Sequence, residues 1–392
     1  VNGPADAGRP FRFDPLLLGS VLALVSFGLV MVYSSSAITA QDKLGDSFFF
    51  LKRQLGCAGL GLLAMAVAMK LGYRKLARLA YPLLLLAVIT LIAVLVPGVG
   101  TVVGGAKRWI RVPGASFQPA EYAKFAWVVY LSYSCAKKRE KVATFSVGFL
   151  PHLLIAFLLV ILCMLEPDFG SAVTLLFLLF VMLFTAGTKV SFLVGSVLLA
   201  LPVGYHVVAS SPYRMKRIMA FLDPWGTRNG VGYQIAESLM SIGSGGWTGL
   251  GLGDGRQKLF FLPEAHTDFI FSIIGEELGL LGVGFLVLLY ALVLWRGVRA
   301  ALNATEAFGT YLSLGITALI GFQAVVNMAM AMGMLPTKGL VLPFISYGGC
   351  SLIILMGASG VLLSVSAGAE AVRARGGMGP GRSRSGLREV EA

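Results

Sequence analysis

The acids of this 392-residue chain are scarce, 19 Asp and Glu against 32 Lys and Arg, and the places where they gather are the places where chemistry is expected. Glu264, His266 and Asp268 put three titratable groups within one short stretch, directly before the apolar run that begins at Phe269. A carboxylate at such a boundary either caps the following helix or, when partly buried beside aromatic residues, has its pKa raised toward that of a useful general base. One His and two acids without further ligands do not make a metal set. A second concentration runs from Arg108-Trp-Ile-Arg111 to Ser116-Phe-Gln-Pro-Ala-Glu121-Tyr-Ala-Lys124. Glu121 and Lys124 are three apart at a helix start and share a face. Spacing alone leaves open whether they form an ion pair that holds helices together or act on a substrate. Glu276 and Glu277 lie two turns into an apolar run, too deep for casual surface charges, so at least one is expected to face an interior polar network. Glu166-Pro-Asp168-Phe-Gly170 reads as a tight turn. Lys338, amid the Pro and Gly of Leu335 to Pro343, either snorkels to an interface or belongs to an irregular segment that brings backbone and a cation to a ligand.

The elements that must position these residues are helices in a bilayer. At 57% hydrophobic and 13% charged, the composition excludes an ordinary soluble enzyme, in which about a quarter of residues are charged. Apolar runs of spanning length lie at 15–37, 51–70, 79–97, 119–136, 146–164, 171–187, 189–209, 269–295, 307–333 and 347–368. The expected fold is therefore an all-α polytopic integral membrane protein of about ten transmembrane helices. With the N-terminus inside, inner segments hold 18 of the 32 basic residues; the outer short segments hold 7 once the long loop is set aside. That contrast favours an N-in, C-in orientation with the long 210–268 loop, between the seventh and eighth helices, outside. Arg9, Arg12 and Ser35-Ser36-Ala37 imitate a signal peptide, but nine further spans favour an uncleaved first helix. The formal charge of +13 sits in short clusters between apolar runs and points to anionic lipid and not to nucleic acid. Cys57, Cys135, Cys163 and Cys350 are scattered singly and read as small core residues. The organisation is a cytoplasmic tail over 1–14, one membrane domain over 15–368, and a Gly-, Ser- and Arg-rich tail over 369–392 expected to be disordered and attracted to lipid. No internal repeat is evident, which weakens an inverted-repeat transporter.

Two stretches carry a family resemblance: Pro263-Glu-Ala-His-Thr-Asp-Phe-Ile-Phe271 with Gly275-Glu-Glu-Leu-Gly279, and Asn327 with Leu335-Pro-Thr-Lys-Gly-Leu-Val-Leu-Pro-Phe-Ile-Ser-Tyr-Gly-Gly349. They resemble the SEDS family of cell-wall polymerases, and the Pro-Thr-Lys-Gly form resembles its FtsW-type division branch more than the RodA type. Phe221-Leu-Asp-Pro-Trp225, Gly232-Tyr-Gln234, Ser244-Gly-Gly-Trp247 and Phe117-Gln-Pro-Ala-Glu121 extend the likeness from about residue 15 to 368. Ala120 and Cys350 depart from it, each standing where Ser is usual, and neither removes an ionisable group.

The resemblance implies a peptidoglycan glycosyltransferase that polymerises lipid II into glycan strands at the outer face of the bacterial cytoplasmic (inner) membrane, at the division septum. It implies Asp268 as the catalytic carboxylate and Trp109, Glu121 and Lys124 as residues of an outer cavity; Glu264, His266 and Glu277 are grouped with them as supporting residues. A class B penicillin-binding protein transpeptidase is the implied partner, with other division proteins beside it. For the leaving pyrophosphate the candidate cations are Arg214, Lys216, Arg217, Arg256, Lys258 and Lys338. The chain has no Asp-x-Asp motif, so assistance by a divalent cation, Mg or Mn, stays open. The competing readings are a lipid II flippase or transporter and a non-catalytic scaffold for division proteins.

Overall fold

A computed structural model of the chain describes residues 13–103, 106–112, 115–210, 212–256, 265–337 and 339–376. Among the described residues, helices occupy all ten apolar runs: α1 Pro15–Leu44, α2 Phe49–Leu71, α3 Arg74–Leu95, α4 Pro119–Lys138, α5 Leu150–Leu165, α6 Phe169–Thr185, α7 Val190–Ala209, α10 Ile270–Asn303, α11 Ala307–Ala331 and α12 Gly349–Gly376. Two more, α8 Pro212–Leu222 and α9 Tyr233–Ser244, organise the long loop. Seven helices are long and apolar enough to cross a membrane, and α6 and α7 are shorter apolar helices. The remaining one, α4, carries Glu121, Lys124 and, in its last turn, Lys137 and Lys138.

Local chemistry sets the helix ends. Asp14 caps α1, its Oδ1 accepting from the amides of Leu16 and Leu17 at 3.1 Å, and Pro15 takes the first helical position, where no N–H is needed. Helix α2 packs closely along α12 because a glycine permits it: a Cβ on Gly360 would lie 2.3 Å from the Met65 carbonyl oxygen. Such small-residue contacts let backbones approach where lipid supplies no hydrophobic drive between helices. Outward faces carry Leu60, Leu63, Leu85, Leu154 and Leu198, all exposed, as a lipid-facing surface requires.

The bundle has two distinct ends. At one, Arg296 pairs with Asp14 at 2.5 Å, Arg74 pairs with Glu306 at 2.7 Å, and the Tyr73 amide donates to Ser364 at 3.1 Å. The opposite end holds α8, α9, residues 245–256, 265–269, 332–337 and 339–348, and a feature the all-helical reading omits. Between α3 and α4, β1 Gly100–Val103, β2 Ala106–Val112 and β3 Ala115–Phe117 form an antiparallel sheet in the order β1-β2-β3. Thr101 pairs with Trp109 and Val102 with Lys107, which leaves Arg108 as the extra residue of a β-bulge.

Helix α10 is broken. Gly279 has φ 62° inside it, and the backbone groups freed there are taken up by the segment after α9. The amides of Leu250 and Gly251 donate to the carbonyls of Glu276 and Glu277, both at 3.0 Å, and those of Leu280 and Leu281 donate to Gly246 and Trp247 at 2.9 and 3.1 Å. The approach is close enough that a Cβ on Gly249 (φ +81°) would meet the Glu277 carbonyl oxygen at 2.1 Å. Non-helical backbone at this depth is tolerated because protein satisfies it.

Candidate functional site

Asp268 stands in the turn just before α10; Phe269, not Asp268, occupies the N-cap position of that helix. The backbone around it is held from several sides. Asn327 of α11 donates its amide both to the Asp268 carbonyl, at 3.0 Å, and to the Leu340 carbonyl, at 2.6 Å. The Ser346 hydroxyl donates to Thr267 at 2.6 Å while accepting from the Leu342 amide at 2.9 Å, and the Tyr347 amide donates to His266 at 2.9 Å. The Asp268 carboxylate is left half-buried on a fixed backbone, the arrangement a catalytic group needs to keep its geometry. His266 lies against Phe50 and Tyr347, with ring centroids 4.7 and 5.7 Å away. Its observed surroundings are those of an aromatic cluster that buttresses the turn.

The bulge delivers a second group. Arg108 Nε donates to the Glu166 carbonyl at 3.1 Å and Nη2 to that of Pro167. Its remaining nitrogen, Nη1, is 3.7 Å from the point where a Cβ on Gly339 would sit, and Asp268 Oδ2 is 3.6 Å from the same point. Arg108 and Asp268 therefore converge on the same point beside Gly339. Trp109, one residue on, is half-buried in β2.

Glu121 and Lys124, whose spacing left an ion pair and a role on substrate both open, pair at 2.6 Å, with Lys124 wholly buried. Both glutamates of α10 are buried and hydrogen-bonded: Glu276 accepts from the Arg256 amide at 2.7 Å and from Ser241 at 3.2 Å, and Glu277 accepts from Ser34 of α1 at 2.5 Å. Glu277 is nine residues beyond Asp268, roughly 13 Å deeper along the helix. Its hydrogen bond to Ser34 ties the α10 segment beside the break to α1.

The cations proposed for pyrophosphate fall into separate places. Arg217 Nη1 donates to the Thr337 carbonyl at 2.8 Å, which ties α8 to the segment that contains Gly339. Arg256 belongs to the Glu276 neighbourhood, and Lys216 is exposed on α8. Arg214 lies in α8, with its side chain outside the described set; Lys258, Lys338 and Glu264 lie outside the described residues.

Three contributors escaped the sequence reading: Arg108 as the cation beside Asp268, Asn327 as the clamp on two carbonyls, and Glu166. The Glu166 carboxyl is fully buried, and among the described residues neither oxygen has a hydrogen-bond partner. Burial, reinforced by the like charge of Asp168 and opposed by Arg108, raises its pKa to about 8. Val102-Val103-Gly104-Gly105 was the available signal for the hairpin that places Arg108, since a Gly-Gly pair between strand-forming residues favours a two-residue turn.

The family described as cell cycle protein, FtsW/RodA/SpoVE, matches residues 15–371. A probable peptidoglycan glycosyltransferase FtsW of Trichlorobacter lovleyi is 47% identical over 363 residues, covering 92% of this chain and 95% of that relative. Stage V sporulation protein E of Bacillus subtilis is 42% identical, covering 90% of this chain and 96% of its own length. Among solved structures, one reported for the structural coordination of polymerization and crosslinking by a peptidoglycan synthase complex matches with TM-score 0.76 and 33% identity, over 90% of this chain and 97% of that one. The rod shape determining protein RodA of Thermus thermophilus matches with TM-score 0.66 and 32% identity, over 90% of this chain and 96% of its own.

Proposed function

This chain belongs to the FtsW, RodA and SpoVE family of cell cycle proteins, and on that premise we propose that it is a peptidoglycan glycosyltransferase that polymerises lipid II, with Asp268 as the general base. The observation that carries the assignment of the base is the convergence of Asp268 Oδ2 and Arg108 Nη1 on one point beside Gly339. A sugar hydroxyl is too weakly acidic to attack unless a base takes its proton as the new bond forms. Asp268 accepts that proton from the acceptor 4-hydroxyl. The hydroxyl oxygen bonds to the donor's anomeric carbon as the carbon–oxygen bond to the lipid pyrophosphate breaks, and its electron pair leaves on the phosphate oxygen. One inversion, from an α-linked donor to a β-linked glycan, needs one base and no carboxylate nucleophile.

Negative charge grows on the pyrophosphate, and fixed cations stabilise it preferentially in the transition state. Arg108 and Arg217, both tied to main-chain carbonyls near Gly339, suit that task better than Arg256. The described residues assemble no cluster of three or more His, Cys, Asp or Glu side chains. A Mg or Mn ion would in this proposal arrive on the pyrophosphate, and no step is assigned to it. The end of the bundle that holds Asp268 faces outward, the termini lie in the cytoplasm, and the lipid tail stays in the bilayer beside the helices. A class B penicillin-binding protein supplies the crosslinking, as the coordination named for the solved synthase complex suggests.

Purified Asp268→Asn, shown to be folded, is expected to lose at least about a hundredfold of lipid II polymerisation, the usual scale of general-base catalysis. Activity near wild type would remove Asp268 from the mechanism. Transbilayer movement of lipid II without polymer would favour a carrier instead.

A further inference from the structure

Two carboxylates stand two residues apart at the junction of α5 and α6, in opposite circumstances. Asp168 caps α6 and is fully provided for: Oδ1 accepts from the Ser171 amide at 3.0 Å and Oδ2 from the Ser171 hydroxyl at 2.8 Å. Glu166 is buried with both oxygens unpartnered, yet its own main-chain carbonyl and the next one are held by Arg108. The groups that face it are Arg108 of β2, Asp168 of α6 and, around Cys163 one turn earlier on α5, Lys124 of the Glu121 pair on α4. Helix α3, which also packs on α5, has its ionisable residues, Arg74, Lys75, Arg78 and Tyr81, in its first two turns, and none from Pro82 to its end at Leu95.

A guanidinium beside an ionised carboxylate would not keep to two neutral carbonyls. Its bonds to the carbonyls set one full charge against neutral dipoles, whereas a bidentate pair with an ionised carboxylate sets two opposite full charges together in a poorly solvated place, so an ionised Glu166 would draw Arg108 inward, off the carbonyls and away from Gly339. A neutral carboxylic acid exerts no such pull. We propose that Glu166 is a positioning residue of the polymerisation site, an uncharged carboxyl that keeps Arg108 on the carbonyls of residues 166 and 167 with its third nitrogen beside Asp268. Glu166 touches no reacting atom; it acts through Arg108. Environments that drive neighbouring carboxyls to different protonation states are a recurring way of dividing roles between them.

The inference rests on the polymerase reading, and a pH series on the purified full chain tests the two separately. If the wild-type chain makes no glycan from lipid II at any pH, the polymerase reading fails first. If it does, wild-type activity is expected to fall as pH rises through about 8, where Glu166 ionises. Glu166→Gln, neutral at every pH, is expected to keep at least half of the neutral-pH activity and to lack that fall. Asp168→Asn retains a capping acceptor but removes the like charge that favours neutral Glu166, so its fall should move to lower pH. Difference infrared spectra should show a protonated-carboxyl band that titrates with the wild-type fall and is absent from Glu166→Gln, whether or not substrate is present. The proposal is overturned if Glu166→Gln keeps the alkaline fall, if the folded variant loses more than tenfold at neutral pH, or if the Asp168→Asn midpoint does not move. Should Glu166→Gln not fold, the Asp168→Asn midpoint and the wild-type infrared titration decide between the same outcomes.

Discussion

Lys124 has no exposed surface and Glu121 almost none, so each charge is sustained by the other across 2.6 Å. Breaking such a pair by removing one partner leaves a buried charge uncompensated and costs about 3–5 kcal/mol, whereas replacing both is far milder. Glu121→Gln and Lys124→Met are therefore each expected to lower the unfolding midpoint in detergent sharply, and the double variant to recover much of the loss. If the recovered double variant also polymerises lipid II at the wild-type rate, the pair is architectural. Asn327→Leu gives a related test: it strips the donor from the Asp268 and Leu340 carbonyls, and activity should fall more than stability because the Asp268 turn loses its clamp. Residues at this scale were unequally legible. Helical spacing puts Glu121 and Lys124 on one face, which made their pair one of two open readings, and the depth of Glu276 and Glu277 announces buried partners. Arg108 and Glu166 were hidden because a bulge and a crossing of distant segments decide what they face, and neither is written in local spacing.

The break in α10 is the element on which the outer loop depends. Gly279→Ala would place a side chain at φ +62°, ψ −161°, a region that only glycine adopts readily, and 2.4 Å from the Gly249 amide nitrogen; the backbone conformation alone costs about 1–3 kcal/mol, and the clash adds to it. Gly243→Ala, where a Cβ would meet nothing within 4 Å, is the control. Thermal unfolding should separate the two by several degrees, and equal midpoints would show that the loop does not need the break. Hydropathy made the ten apolar runs readable, to within a few residues at most ends. Helices α8 and α9 were not read from the loop, although their polar and apolar residues are segregated by face. The kink was not read either, because a glycine in an apolar run is ordinary in membrane helices and only its approach to Gly249 gives it meaning.

Across the whole molecule, ion pairs tie the N-terminal side of α1 to the end of α10 and the start of α3 to the start of α11, so one end of the bundle is laced together apart from the site. Orientation is testable by single cysteines in a background lacking the four native ones. A thiol reagent that cannot cross membranes should label Asp254→Cys in intact cells and leave Lys137→Cys untouched until the cells are opened; the reverse pattern would invert the topology. Asp14→Ala removes both a helix cap and the partner of Arg296, and a loss of at least about 1 kcal/mol is expected from the cap alone. The break at Gly279 also bears on how the chain is made. Ser34, Ser241, the Arg256 amide and the main chain of residues 246–251 all precede Glu276 and Glu277 in sequence. As α10 leaves the ribosome, the groups that will receive its two buried carboxyls have already been synthesised, so these side chains are delivered to a cradle translated before them.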